Sequence, residues 1–288
     1  MARTKKGPDA VQLLPHSLHA PEPVKEFQNI VLHYYRTCGR RLPWRTTRDP
    51  YAVFVSEVML QQTQVDRVIP KYSEFLEMFP DVDTLARAAL KDILAVWQGM
   101  GYNRRAIALQ KSAREIVSKH GGRFPRQYEQ LLLLPGIGPY TASAICVFSF
   151  NQPRIFIETN IRTVYIYCFF PDGDAVSDKD ILPLVEKTLY KADPRTWYNA
   201  LMDYGVLLKR LFPNPGRNSA QYQKQSPFQG SDRQIRGLLL KQLIGVTGRT
   251  EKTLIARCGN DAPRVRRILS QLLAEGFVSR RGGKYGLS

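Results

Sequence analysis

One carboxylate in this sequence stands where a charge is costly. Glu57 lies in the segment 51–63, which reads YAVFVSEVMLQQT and predicts a helix with apolar residues on almost every face. Burying a lone carboxylate is unfavourable, so the group must pair, take up a proton or do chemistry. A salt bridge inside the fold is the ordinary alternative.

A tight turn between two predicted helices offers a binding site for an anion. An apolar helical run ends at Leu134, residues 135–138 read PGIG, and a second helix restarts at Pro139, where proline loses no helical hydrogen bond. Successive backbone N–H groups at such a helix start point outward and suit a phosphate. The alternative is an ordinary helical hairpin within a core.

Other polar groups flank these two elements. A loop at 151–153 leads to a second acid, Glu158, on a segment that we expect to face the cleft of the hairpin. Residues 61–64 (QQTQ) suit hydrogen bonds to base edges or a wedge in a base stack, but equally a polar helix cap. The loop 98–105 (QGMGYNRR) suits a base or backbone contact, or else a plain connection with solvated charges.

The charge balance indicates a polyanionic partner. The 288 residues include 42 Lys and Arg against 25 Asp and Glu, a net charge of +17 and a pI of about 9.9. Nucleic acid is favoured over membrane because no basic run adjoins an apolar anchor, no apolar run approaches the roughly 20 residues of a span, and no secretory signal is present. The four cysteines form no C-x-x-C pair, which indicates reduced thiols. We expect a cytoplasmic protein at the nucleoid.

Composition divides the chain into four parts. Residues 1–24 predict a flexible tail, and residues 25–212 predict helices without β-periodic segments. Residues 213–230 are rich in Pro, Gly, Asn, Gln and Ser and predict a linker. Residues 231–288 predict three helices and a basic β-ribbon, the pattern of a winged helix, with 12 Lys and Arg against 4 Asp and Glu. Such a module binds DNA or a protein partner.

Five motifs in one order carry a family resemblance: LPWR at 42–45, DPY-x-x-x-x-SEVMLQQTQV at 49–65, W-x-G-x-GY-x-x-R at 97–105, LPGIGPYTA at 134–142, and the segment around Asn160. Over residues 26–212 the chain resembles the helix-hairpin-helix DNA glycosylases, within them the adenine-specific branch. The resemblance implies an all-α fold of two lobes with a nucleotide pocket between them, here followed by the winged helix. It also implies a monomer that acts on duplex DNA with a mispair or lesion and flips the target nucleotide out.

The same resemblance assigns roles to the acids. Glu57 would protonate the departing base and then activate water for attack on C1′. Glu158, where the family has Asp, would stabilise positive charge on the sugar, and Asn160 would hold that loop. Tyr140 stands at the catalytic position where bifunctional relatives place a lysine; because tyrosine cannot form an imine, we expect no lyase activity.

The remaining assignments are contacts to the DNA and to a cation. The carbonyl groups of Leu132, Leu134 and Ile137 would hold a monovalent cation, Na⁺ or K⁺. The predicted contacts to base or backbone are Trp44, Arg45, Gln61, Gln62, Gln64, Tyr102, Asn103, Arg104, Gly136, Gly138 and Thr141.

Four departures from the family pattern bear on the substrate. Residues 209–226 contain none of the cysteines that hold an iron–sulfur cluster, so no cluster is expected. The domain that reads 8-oxoguanine is replaced by the winged helix, Asn103 replaces a tyrosine, and Glu158 is one methylene longer than Asp. An adenine mispair, a thymine or uracil mismatch and another lesion therefore all remain substrates to test. A non-catalytic protein that recognises damage, and a transcription factor, are the alternatives from other classes.

Overall fold

The computed structural model describes residues 23–224 and 226–288. The predicted tail, 1–24, lies outside the described residues except for its last two, which begin the first helix. The described chain is mostly helical, as predicted. Its helices are α1 (Pro23–Cys38), α2 (Pro50–Leu60), α3 (Val65–Met78), α4 (Val82–Arg87), α5 (Leu90–Val96), α6 (Arg104–His120), α7 (Tyr128–Leu132), α8 (Pro139–Phe150), α9 (Thr159–Phe169), α10 (Asp178–Thr188), α11 (Pro194–Leu211), α12 (Asp232–Leu243), α13 (Glu251–Arg257) and α14 (Ala262–Ala274). The strands are β1 (Arg249–Thr250), β2 (Val278–Arg281) and β3 (Lys284–Leu287).

Among the described residues, the first compact unit comprises 23–48 and Ala142–Lys224. Its core forms around Phe27 of α1, whose ring meets the edges or faces of Tyr165, Phe169 and Trp197 at centroid distances of 5.5 to 5.7 Å. These aromatic contacts join α1 to α9 and α11. Helix α11 packs along α9, so side chains of the two helices can contact one another.

The second unit comprises Asp49–Thr141 and Gln225–Ser288. Its central helix is α2, which begins where the Asp49 carboxylate accepts hydrogen bonds from the first backbone amides. The helix ends at Leu60, three residues before the predicted end. Gln61 is extended, with ψ of 111°, and Gln62 adopts a left-handed φ of 55°, so the chain leaves the helix there.

The C-terminal part of this unit has the three helices and β-ribbon of a winged helix. Strands β2 and β3 form the predicted hairpin, with Val278 opposite Leu287. The sheet has a third strand, in the order β1-β3-β2, which the sequence did not predict. The strand β1 has only two residues, Arg249 and Thr250, so it has no detectable period in the sequence, and Thr250 also caps α13.

The predicted linker is packed over part of its length. Residues Pro215–Asn218 form a short 3-10 helix, and Gly216 lies so close to Thr163 of α9 that an added Cβ would meet its hydroxyl at 2.8 Å. Val176 and Ser219 form a β-bridge beside it. This part of the segment therefore belongs to the first unit, while the domain boundaries themselves stay a prediction.

No helix in the described residues is both long and apolar enough to span a membrane. Across residues 23–224 and 226–288, no cluster of three or more His, Cys, Asp or Glu side chains is placed to hold a metal ion.

Candidate functional site

Glu57 lies in the middle of a buried helix. Its residue exposure is 5 %, and every residue from Tyr51 to Met59 on α2 is buried. The turn before it is apolar, with Val53 and Phe54 at the positions that share its helix face. The structure thus places the predicted acid in a water-poor setting on a rigid helix, which is where a proton donor can be held in one orientation.

Arg105 fixes the end of that helix. Its two terminal nitrogens donate hydrogen bonds of 2.6 to 3.1 Å to backbone carbonyl groups and to one hydroxyl: Val58, Met59, Gln61, Met100 and Gly101, and Thr63 Oγ1. The guanidinium also lies over the rings of Trp97 and Tyr102. Burial lowers the pKa of Arg105 to about 10, so the side chain still carries its charge at neutral pH. One buried cation therefore ties the end of α2 to the loop before α6.

The glutamines after α2 are separated by this bend. Gln61 is half-buried and its amide donates to Thr141 Oγ1 at 3.3 Å. Gln62 is exposed and carries the left-handed φ, which pushes its side chain away from the helix axis. Gln64 is exposed at the start of α3 and forms no side-chain cap there. The exposed pair is available to a ligand, whereas Gln61 and Thr141 hold one another.

The hairpin turn is built against α6. Ile137 donates its amide to the carbonyl of Leu134 at 3.1 Å, and Ser112 donates its hydroxyl to the carbonyl of Pro135 at 2.6 Å. Gly136 has φ of 75°, and a Cβ there would meet the Ala108 Cβ at 2.5 Å, so no larger residue fits. Ala108 and Ser112 are one turn apart on α6, and together they seat the hairpin.

The exposed face of the hairpin carries the glycines whose backbone N–H groups we predict to bind a phosphate. Gly136 and Gly138 are exposed, and α8 begins directly after them at Pro139. Tyr140 is half-buried in the first turn of α8. Of the carbonyl oxygens predicted to hold a cation, Leu134 already accepts from Ile137, and its second lone pair stays available. Backbone oxygens of this kind suit a hard cation such as Na⁺ or K⁺.

Glu158 is the N-cap of α9 in the first unit. One carboxylate oxygen accepts from the backbone amides of Asn160 and Ile161 at 2.7 and 2.9 Å, and the other accepts from the Asn160 side-chain amide at 3.2 Å. The longer side chain is thus folded back on the helix start, where the helix dipole favours its negative charge. Asn160 therefore contacts Glu158 through both its backbone amide and its side-chain amide.

Arg45 is committed to an ion-pair cluster. Its guanidinium donates two hydrogen bonds to Asp203 at 2.8 and 2.9 Å and a third to the carbonyl of Arg40, which also binds Asp203. The Asp203 side chain is only 1 % exposed. Burial by itself raises the pKa of Asp203, but the hydrogen bonds and charges of Arg45 and Arg40 lower it overall. Trp44, which precedes Arg45 in the LPWR motif, is also buried.

The loop before α6 is clamped by the C-terminal helices. The Tyr102 hydroxyl accepts from Arg233 of α12. Arg104 donates two hydrogen bonds of 2.7 and 2.9 Å to Glu275, which also pairs with Arg236. The hydrogen bond from Arg104 is the main reason that the pKa of Glu275 falls to about 2. Arg104 is therefore already paired in this structure.

Asn103 differs from its neighbours in the loop. It is 9 % exposed, so it presents little surface to a ligand. The half-buried Tyr102, with φ of 45°, stands at the turn of the loop instead.

Three residues that organise these sites were not singled out from the sequence: Arg105, Asp203 and Lys209. Arg105 ends the W-x-G-x-GY-x-x-R motif, and that position was the one available signal. Asp203 and Lys209 lie far along the chain from their partners and give no local signal.

Comparisons with known proteins place the chain in a family. The family model described as "HhH-GPD superfamily base excision DNA repair protein" matches residues 55–188. The "Adenine DNA glycosylase" of Mycolicibacterium smegmatis is 32% identical over 277 residues, which cover 90% of this chain and 94% of that protein. The chain belongs to the HhH-GPD superfamily.

Two further matches cover about two thirds of this chain. The "Adenine DNA glycosylase" of Buchnera aphidicola subsp. Baizongia pistaciae is 38% identical over 63% of this chain, and the chain spans about half of that relative's length, 52%. A solved structure of a thermostable thymine-DNA glycosylase aligns with a TM-score of 0.58 and 26% identity over 65% of this chain and 87% of that one. The HhH-GPD match includes Glu57, the hairpin and Glu158, whereas Arg45, Asp203 and Lys209 lie outside it.

Proposed function

We propose that this protein is a monofunctional DNA glycosylase of base excision repair, which flips a base out of duplex DNA and hydrolyses its glycosidic bond. The observation that carries the proposal is Glu57, buried on α2 within the family match. A protein that only binds DNA has no use for a buried acid in this position. The names of the relatives favour adenine as the released base, and we propose that this adenine stands in a mispair.

Glu57 supplies the proton that the reaction needs. As the C1′–N bond breaks, its electron pair moves to the base, and the carboxylic acid protonates a base nitrogen so that the base leaves neutral. The resulting carboxylate then takes a proton from the water that attacks C1′. The enzyme returns to its starting protonation state after one turnover, and the water is the only co-reactant.

Glu158 supplies negative charge to the same reaction. A carboxylate near the sugar stabilises the positive charge that develops on C1′ and the ring oxygen in the transition state. Its hydrogen bonds to the start of α9 hold the carboxylate in one position, so little reorganisation is needed during the reaction. We propose that the extra methylene is absorbed by this folded-back conformation.

Duplex DNA is the partner in this proposal. The exposed glycines of the hairpin offer backbone N–H groups to a phosphate, and Gln62 and Gln64 are exposed next to the end of α2. The protein would act as a monomer on DNA in the cytoplasm. We further propose that a monovalent cation at Leu132, Leu134 and Ile137 steadies the hairpin, and that the protein works without an iron–sulfur cluster.

Tyr140 decides whether the DNA strand is cut. A lyase needs an amine that forms an imine with the sugar, and the phenol of Tyr140 cannot do so. We expect borohydride to trap no enzyme–DNA adduct on a substrate duplex, and the abasic product to stay intact until alkali is added. Tyr140→Lys is the matched variant, because it places an amine at the same point. A trapped adduct with the wild-type protein would refute the monofunctional assignment.

The wing of the C-terminal module is proposed to contact DNA phosphates. Arg280, Arg281 and Lys284 are exposed at its tip, whereas Arg266 and Arg267 of α14 are paired with carboxylates. Replacing the three wing residues with alanine is expected to reduce the slope of log Kd against log salt by about 2 to 3. The triple variant Lys25→Ala, Lys187→Ala, Lys191→Ala, which changes exposed charges of the first unit, should leave the slope unchanged. An unaltered slope in the wing variant would instead point to a protein partner.

Thymine in a mismatch is the second candidate substrate, because a solved thymine-DNA glycosylase shares the fold at 26% identity. Release of free base from duplexes with A, T or U opposite each natural base and 8-oxoguanine distinguishes the candidates. Adenine release supports the leading proposal, and thymine or uracil release supports the second. Tight binding of these duplexes without release of any base would identify a damage-recognising protein that is not an enzyme.

A further inference from the structure

A lysine that no sequence motif singles out is joined to the Glu158 carboxylate. Lys209 of α11 donates a hydrogen bond from Nζ to Asn160 Oδ1 at 2.9 Å. The other end of the same amide, Asn160 Nδ2, donates to Glu158 Oε2 at 3.2 Å. Because an amide carries its acceptor and donors at opposite ends, a donor on Oδ1 determines which end faces the carboxylate.

The backbone is built to bring Lys209 to this position. Gly205 lies one helical turn earlier on α11, and a Cβ there would meet the Asn160 carbonyl oxygen at 2.3 Å and its Cβ at 2.8 Å. Only glycine allows α11 to approach the start of α9 so closely. Residues four apart share one helix face, so the same approach points Lys209 at Asn160.

Burial and charge show that the lysine belongs to a polar cluster. Lys209 is half-buried. Burial lowers its pKa, and the Glu158 charge opposes that effect, whereas the Arg162 charge adds to it. Arg162 is itself held by Asp178 of α10, with hydrogen bonds of 2.7 and 2.8 Å. Glu158 is thus the acid whose charge acts on Lys209 and favours its protonated form.

We propose that Lys209 is a positioning residue for base excision: it orients the Asn160 amide, and the amide in turn holds the Glu158 carboxylate in the conformation that stabilises the sugar cation. The proposal rests on the function proposed above. Lys209 does not touch the substrate in this account. Its loss should lower the rate of bond cleavage and leave duplex binding as it is.

The test compares variants of Lys209 in single-turnover base release. Lys209→Met keeps the length and apolar stem but removes the donor, and we expect the rate to fall by about 10- to 100-fold with an unchanged Kd for the duplex. Lys209→Arg restores a donor and should recover most of the rate. The control is Lys187→Met on α10, which removes one exposed charge from the same unit and should match the wild-type protein.

A double variant tests the route through Asn160. If Lys209 acts only on the amide, then Lys209→Met adds no further loss to Asn160→Ala. Multiplied losses, or a wild-type rate for Lys209→Met, would overturn the proposal. Should Lys209→Met fail to fold in thermal unfolding, Lys209→Leu replaces it, because leucine also lacks a hydrogen-bond donor. If the wild-type protein releases no base from any duplex, the proposed function itself fails; a Lys209→Met rate equal to that of an active wild type rejects only this inference.

Discussion

Replacement of Glu57 by glutamine is expected to abolish base release while the protein still folds and still binds duplex DNA. Glutamine has the same shape and fits the buried position on α2, but it has no acidic proton to give to the departing base. Loss of a general acid lowers a rate by about 10²- to 10⁴-fold. Single-turnover release of the base, with duplex Kd measured in parallel, gives both quantities.

The control for that experiment is Glu77→Gln on α3, an exposed position in the same unit. It removes the same charge without touching α2 and should keep the wild-type rate. A Glu57→Gln protein that releases base at the wild-type rate would contradict the catalytic role. The buried acid would then serve the fold, as in the alternative of an internal salt bridge. Circular dichroism and thermal unfolding would show whether an inactive Glu57→Gln protein is still folded.

The second large effect is expected at Arg105. In Arg105→Met the carbonyl groups at the end of α2 and in the loop before α6 lose their buried donor. Each buried acceptor left without a partner is unfavourable, so the free energy of unfolding should fall by about 3 kcal/mol or more. Urea unfolding measures this difference, provided that the m-value is unchanged.

The neighbouring arginine is the matched control. Arg104 is 74 % exposed and pairs with Glu275 at the surface. Arg104→Met should therefore lower stability by only about 1 kcal/mol or less. Equal losses at the two positions would contradict the assignment of Arg105 as the residue that fixes the end of α2.

Local patterns accounted for much of the fold. The apolar segment around Glu57 predicted a buried helix, and Pro139 after the glycines predicted the start of α8. The end of α2 was misplaced because Leu60, Gln61 and Gln62 all suit a helix, and the bend depends on Arg105, more than forty residues later. Strand β1 was missed because it has only two residues, and its pairing partner β3 lies far along the chain.

The candidate site was predictable where a residue conflicts with its surroundings. Glu57 is an acid among apolar residues, and Glu158 precedes a helix that it caps. Lys209 gave no such signal, because its partner Asn160 is 49 residues away and the two meet only through the packing of α11 on α9. In the sequence, Lys209 is distinguished only as the first residue of 209–226, the segment that contains no cysteine.

Arg45 shows what a motif alone leaves open. The resemblance assigns this residue to contacts near the base pocket, and that role stays a prediction. The structure places the guanidinium in bidentate contact with Asp203. A charged side chain in a motif can therefore support the backbone around a site instead of contacting a ligand. The sequence alone does not distinguish these two roles, because the partner of the side chain, here Asp203, is far along the chain.

The most direct measurement of the central claim is the release of free adenine from a duplex with one adenine opposite 8-oxoguanine, under single-turnover conditions. We expect the wild-type protein to release the free base and to leave the strand uncut until alkali is added, and the Glu57→Gln protein to release none. Absence of any free base from this and every other mispaired duplex, at concentrations where the wild-type protein binds them, would contradict the account.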